Sequence, residues 1–456
     1  MSFTYISNQN IFIVAAGIFL FAYLQIFSDL YYVSAIGASF FLVVFFKFVR
    51  DIGHKIEPRD LVAFMSVLQW VFGPILAYNV LPYDELYWMD VPEDVYMNFV
   101  VPGTLAFILG MYFPLVPDKS VKDEHLEKVK EYIKANKYVA FILIGGGLFA
   151  QFASKYVPGS LGFLFLLLSN LQFVGVYLLL FTESKFKWLF FGGVMLLVIF
   201  SAILMGMFGE LVLHLMFSFL VVGIVLKMPL WGKIALISFG FFMILVLQSS
   251  KDEYRKATWY STSSKSNQEI FKDIIVEKIT TPSSLFEAHV LENMGARTNQ
   301  GWIIARIMGH MPKKRAFVKG ETITTGIYAG ILPRVLAPNK AKAGGKANFE
   351  RFTGTWLPES TSMDISLMGE AYANYGVNGG IVFMLCIGLL YNWIIIRIIK
   401  ISKNGHAVLV LFLPLMFNQV VKAETDFATV FNFLTKSALI VWVVFWGMKN
   451  VLKIKI

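Results

Sequence analysis

About twelve apolar stretches, centred on Ile18, Phe40, Leu68, Leu105, Phe141, Leu167, Met195, Phe219, Ile237, Met384, Leu411 and Val443, are each long enough to cross about 30 Å of hydrocarbon as a helix. No other feature restricts the fold so strongly. A backbone in lipid must satisfy its own hydrogen bonds, so these runs are expected to be helical. Only 15% of residues are charged and mean hydropathy is +0.64, whereas a soluble domain carries about a quarter charged residues. The expected fold is an all-α polytopic integral membrane protein with one large, partly helical outer loop. Its expected parts are nine spans over 1–249, the loop over 250–378, and three spans with a basic tail over 379–456.

Short-loop charge orients this topology. Lys47, Arg50, Lys55 and Arg59, the lysines from Lys119 to Lys137, Lys185, Lys187, Lys227, Lys233, Arg397 to Lys403, and Lys449, Lys453 and Lys455 all fall on one side. The other short loops hold only Lys155 and Lys422, about twenty positive residues against two. Both termini are therefore expected in the cytoplasm and the long loop outside it. Met1 to Asn10 has no basic segment or small-residue cleavage site, so the first apolar run reads as a retained span. Cys386 is the only cysteine, which excludes an intrachain disulfide. The net charge of +10 is spread over many inner loops, and topology explains that share without nucleic acid.

The long loop breaks the charge rule. From Arg297 to Arg351 it carries eleven Lys and Arg residues against Glu321 and Glu350 alone. An anion is the natural partner of Arg297, Arg306, Lys313, Lys314, Arg315, Lys319, Arg334, Lys340, Lys342, Lys346 and Arg351, with a lipid-gripping surface as the plainer reading for the lysines. Helices are expected over Glu269 to Ile279, Ser284 to Met294 and Gln300 to Met311, the last stopping before Pro312. On the third, Trp302, Arg306, Gly309 and His310 share one face and Ile303, Ile307 and Met311 another, so it could lie on the membrane with its apolar face in lipid. Pro333 and Pro338 frame Arg334, and a rigid frame suits bidentate phosphate binding.

His310, Glu321, Asp364 and Glu370 are the loop groups placed to take a proton from an attacking hydroxyl. Tyr372 and Tyr375 follow Glu370 and could provide stacking surface for a sugar ring. Glu210 with His214, and Asn418, Gln419, Glu424 and Asp426, are polar groups at outer span ends, where such groups are costly. No HExxH, phosphate loop, zinc spacing or cofactor motif is visible, and the metal-holding D-x-D pattern is absent from the outer loops. The acidic stretch Asp84 to Asp94 keeps a metal open; otherwise Lys and Arg take over charge neutralisation. No inner loop reaches the roughly 100 residues of a nucleotide-sugar-binding domain, so a sugar-transferring enzyme of this shape would take its donor attached to lipid.

With its twelve spans, its basic outer loop, Pro333, Arg334, Pro338 and Lys340 in a PR-x3-P-x-K element, and Gly369, Glu370, Tyr372, Asn374, Tyr375 and Gly376 in a GE-x-Y-x-N-[YF]-G ending, the chain resembles the O-antigen and exopolysaccharide polymerases of the Wzy type, to which the O-antigen ligases are related. Arg334 and Gly345 match a further Arg and Gly pair of some members; the second large outer loop of many members is missing. The resemblance implies a glycosyltransferase of the bacterial inner membrane that joins undecaprenyl-diphosphate-linked repeat units in the periplasm, without cofactor or metal. It implies Arg297, Arg306, Lys319, Arg334 and Lys340 on the diphosphate, Arg334, His310 and Glu370 in catalysis, and Trp302, Tyr372, Asn374 and Tyr375 on the glycan. A chain-length regulator and a flippase of the same pathway would be its partners, besides membrane lipids. A ligase that transfers finished glycan to lipid A core is the nearest alternative, and a lipid-linked oligosaccharide flippase a more distant one.

Overall fold

The computed structural model describes residues 3–54, 56, 58–81, 87–115, 123–136, 138–205, 208–259, 266–286, 295, 298–332, 345–359 and 361–454. Among them every regular element is helical. Helices α1 (Phe3–Phe27) and α2 (Tyr32–Asp51) are antiparallel, tied by Arg50 and Asn10. The next span is built from α3 (Arg59–Ser66), a π-helical turn (Val67–Phe72) and α4 (Gly73–Asn79). It is followed by α5 (Glu93–Tyr112), α6 (Asp123–Ala135), α7 (Tyr138–Ala153), α8 (Gly159–Ser169), α9 (Leu171–Leu180), α10 (Lys187–Met205), α11 (Gly209–Leu226) and α12 (Leu230–Trp259). The loop contributes α13 (Asn267–Thr280), a 3-10 turn (Pro282–Phe286), α14 (Gly301–His310), α15 (Glu321–Ile331) and α16 (Lys346–Thr353). Then come α17 (Leu367–Lys403), a 3-10 turn (Ala407–Phe412), α18 (Leu413–Met416), α19 (Asn418–Val421) and α20 (Phe427–Asn450).

Among the described residues, ten helices or joined helices are long and apolar enough to cross a membrane, and an eleventh if the bent pair Leu126–Ala135 and Tyr138–Ala153 counts as one span. The chain is a multi-pass membrane protein. The expected span at Leu411 is instead a run of short helical pieces over Ala407–Val421, interrupted where Pro414 removes a donor. Lipid does not forbid this break, because Val408 to Phe417 are buried within the bundle, and irregular backbone is tolerated where protein surrounds it. The charged inner segment folds as expected into α6, with Leu126, Val129 and Ile133 turned to the core. For α13, Ser266 and Glu269 form a reciprocal capping box. The described start of the expected Ser284 to Met294 helix is the 3-10 turn, and 287–294 lie outside the described residues.

The centre of the bundle is the parallel pair α5 and α17. Gly110 and Gly388 bring their backbones together: a Cβ at residue 388 would meet the Phe107 carbonyl oxygen at 2.1 Å. Asn392 then donates to the Phe113 carbonyl at 2.8 Å, satisfying an acceptor left by the end of α5. Toward the loop, α17 breaks at Gly376, whose φ of 66° and ψ of −159° only glycine adopts without strain.

Candidate functional site

The loop is anchored where the π-helical turn has loosened the helical ladder. Carbonyls at such a turn are free to accept elsewhere. Gln69 O accepts the Gln300 N–H at 3.1 Å, Trp70 O accepts the Tyr96 hydroxyl at 2.8 Å, and the Trp70 indole donates to Ala423 O at 2.9 Å. The Gln300 bond fixes the start of α14, and the other two tie the turn to α5 and to Ala423. The apolar side of α14, with Ile303, Ile304, Ile307 and Met311, is buried in protein, Ile307 lying against Gly369 of α17. The expectation that this face rests in lipid is corrected: α17 supplies the covering surface.

The opposite side of α14 forms the site. Arg306 lies over the Trp302 ring at 4.9 Å, and its Nε is 3.9 Å from Asp90 Oδ2. Asp90 and Val91 pack against Gly309, so the segment before α5 forms the near wall. One turn beyond Arg306, the partly exposed His310 imidazole contacts Gly354 at the end of α16, and Lys313, Lys314 and Arg315 follow, all exposed. The result is a cationic rim with one histidine in it.

Burial, then Lys314 and Arg315, lower the pKa of His310, because each disfavours a second positive charge there. The imidazole is therefore neutral at pH 7 and able to accept a proton. Burial raises Asp90, against the opposing pull of Arg306 and Lys314. Glu321 is held below the usual carboxylate range, chiefly by the Arg351 hydrogen bonds, two parallel contacts of 2.6 and 2.8 Å. That fork ties α15 to α16 and occupies the carboxylate, which corrects Glu321 as a proton acceptor.

Behind the rim lies an acidic, buried floor. Glu370 is 0% exposed; its Oε2 accepts the Phe427 N–H at 2.6 Å, at the start of α20. A carboxylate at a helix N-terminus meets donors and the positive end of the dipole. Its Oε1 has no hydrogen-bond partner among the described residues. Asp364 accepts the Gly345 N–H at 2.6 Å, and burial, then Asp426, pushes its pKa up to about 6. Among the described residues no three His, Cys, Asp or Glu side chains converge on a metal position.

The sequence-expected residues separate into three groups. Arg306 and His310 come together on the rim, and exposed Lys319 and Tyr375 stand beside Gly320, whose added Cβ would meet the Tyr375 hydroxyl. Trp302, Tyr372, Asn374 and Glu370 are buried. Trp302 is edge-on to Tyr87 and Phe349, while Tyr372 packs between Phe99 and Phe317. Asn374 donates to Thr322 Oγ1 and Glu370 O and accepts the Gly320 N–H at 2.8 Å. Arg297, Arg334 and Lys340 lie outside the described residues. Asp90, Gly354 and the pairing of Arg351 were not singled out from sequence; the acidic Asp84 to Asp94 stretch facing a basic loop was the available signal for the first. Glu210 pairs with Lys422 at 2.6 Å, and His214 stacks on Phe173 at 3.7 Å, forming a separate patch.

Comparison with known proteins finds no matching family model, no matching curated protein and no matching solved structure.

Proposed function

We propose that this chain is a glycosyltransferase that joins polyprenyl-diphosphate-linked oligosaccharide repeat units at the outer face of the bacterial inner membrane. The observation that carries the reading is the rim on α14: a guanidinium and a neutral imidazole one turn apart, with Lys313, Lys314 and Arg315 exposed beside them. Such a rim suits an anionic leaving group and a hydroxyl that must lose a proton. The charge asymmetry of the short loops supports the outward placement.

In this reading an acceptor hydroxyl oxygen attacks the anomeric carbon of the donor chain. The bond from that carbon to the diphosphate oxygen breaks, and the diphosphate leaves with the electron pair. His310 takes the hydroxyl proton. Arg306, Lys314 and Arg315 meet the charge developing on the leaving group, the kind of preorganised stabilisation that contributes most where water is scarce. Arg297, Arg334 and Lys340 join them by resemblance. Glu370 ties α17 to the start of α20 through the Phe427 N–H.

The test is reconstitution of the purified protein with lipid-linked repeat units, with products sized by electrophoresis. A ladder of lipid-linked polymer is expected. Consumption of donor only when lipid A core is added would replace this reading with the ligase, and movement of intact donor across the bilayer without bond formation would replace it with the flippase.

A further inference from the structure

We infer that Trp356 is a stacking platform for a sugar ring of the glycan whose transfer is proposed above, an inference that rests on that reading of the rim. Its indole is 77% exposed, a costly state for a large apolar side chain in water. Among the described residues seven indoles are exposed, and five of them belong to membrane-spanning helices, where lipid is the covering medium. Only Trp88 and Trp356 lie outside those spans. Trp88 is two residues before Asp90, which packs on Gly309, and Trp356 is two residues after Gly354, which packs on His310. Both therefore adjoin the same rim.

The backbone around Trp356 is pinned on each side. The Thr355 N–H donates to Thr353 Oγ1 at 3.1 Å, and the Leu357 N–H donates to Glu350 Oε1 at 2.9 Å. Lys346 Nζ donates to the Pro358 carbonyl at 3.1 Å and also stands over one face of the indole, 5.3 Å from its centroid. The ammonium holds the ring by its negative π-face. Because so much of the residue is exposed, the opposite face is open. A ring held this firmly has already given up freedom that binding would otherwise cost. A sugar ring offers the matching surface: the C–H groups of its apolar face carry slight positive charge and meet the negative face of an indole, while its hydroxyls stay at the edge.

Position favours a glycan as the occupant. Two residues span at most about 7 Å, so the Trp356 Cα lies within that distance of Gly354, where an added Cβ would meet the His310 ring at 2.7 Å. The indole thus stands next to the group that would take the hydroxyl proton, where the sugars of donor or acceptor must lie. An anchor in the membrane interface would share its surface with other apolar side chains. Here Leu357 is turned inward, and the exposed neighbours are Gly354, Pro358 and Glu359.

The experiment uses full-length protein carrying 5-fluorotryptophan in lipid nanodiscs, with the Trp356 fluorine resonance assigned by its loss in Trp356→Phe. The probe is the water-soluble oligosaccharide repeat unit freed by mild acid from the source cell's lipid-linked pool. Adding it is expected to shift the Trp356 resonance. No shift overturns the inference, and broadening by nitroxide on lipid headgroups would then identify Trp356 as a membrane anchor. In turnover, Trp356→Ala should raise KM for lipid-linked repeat units about 2- to 10-fold with kcat unchanged, the range for one aromatic contact, and Trp356→Phe should raise it less. An unchanged KM in Trp356→Ala also overturns the inference. The resonance is read without turnover: a shift with no polymer formed leaves the glycan site standing and removes the proposed reaction, whereas polymer formed with no shift removes the platform alone.

Discussion

Gly354 seats directly on the imidazole of His310. A Cβ at residue 354 would lie 2.7 Å from Cε1 and 2.8 Å from Nδ1, and φ at Gly354 is +70°. Both the space and the backbone exclude a side chain. Gly354→Ala is expected to displace the ring and lower kcat about 10- to 100-fold, the penalty of misplacing a reacting group by about 1 Å. KM and thermal melting in detergent should change far less, which separates a positioning defect from unfolding.

His310 carries the pH dependence. Its folded pKa lies below the ordinary 6.5, so the proton-accepting form predominates at neutral pH, and the rate should fall as pH drops through a value below 6.5. Lys314→Gln with Arg315→Gln removes two of the causes and should move that acid limb upward. His310→Gln is expected to reduce turnover by about 10²- to 10⁴-fold and to abolish the limb. An acid limb unmoved by the charge removals would exclude His310 as its source.

Arg306 acts through shape as well as charge. Its planar group lies over Trp302 and beside Asp90, positions that an ammonium fills poorly. Arg306→Lys should therefore lower kcat/KM about tenfold, and Arg306→Ala further, measured on lipid-linked repeat units. Equal activity of Lys and Arg at this position would reduce its role to bulk charge.

The fork between Arg351 and Glu321 is structural. Glu321→Gln should leave turnover within about twofold while costing about 0.5 to 1 kcal/mol of stability, the range for partly exposed ion pairs. A double-mutant cycle with Arg351→Met, read by thermal melting, should show coupling of that size. Loss of turnover without loss of stability would return Glu321 to the list of proton acceptors.

Asp364 makes stability fall with rising pH. Its folded pKa of about 6 exceeds the model-peptide value of 3.8, so the folded chain holds a proton that the unfolded chain releases first. The stabilising contribution is complete below about 3.8 and is lost as pH rises through about 6, when Asp364 ionises beside Asp426. Melting temperature between pH 4 and 7 should decline less in Asp364→Asn than in wild type.

Sequence reading located the spans well because hydrocarbon thickness forces long apolar runs, and the end of α14 because Pro312 is a local signal. It failed where burial by protein replaced burial by lipid. Val408 to Phe417 look like a span in composition, yet surrounding helices allow them to bend. The aromatic and polar residues of the Gly369 to Gly376 ending look like a binding surface, yet Tyr372 and Asn374 face inward, a choice that only tertiary contacts make. Arg306 and His310 were legible because helical spacing alone puts them together; Asp90 and Gly354 reach them from distant segments, which no local pattern encodes.

The Gly110 and Gly388 contact has a mechanical consequence. Two backbones touching without side chains between them have no compressible layer, so α5 and α17 are coupled rigidly where Gly110 meets Gly388. Compliance is left to the perimeter, where the spans Gln9–Phe27 and Lys187–Leu204 are only 11% and 17% buried.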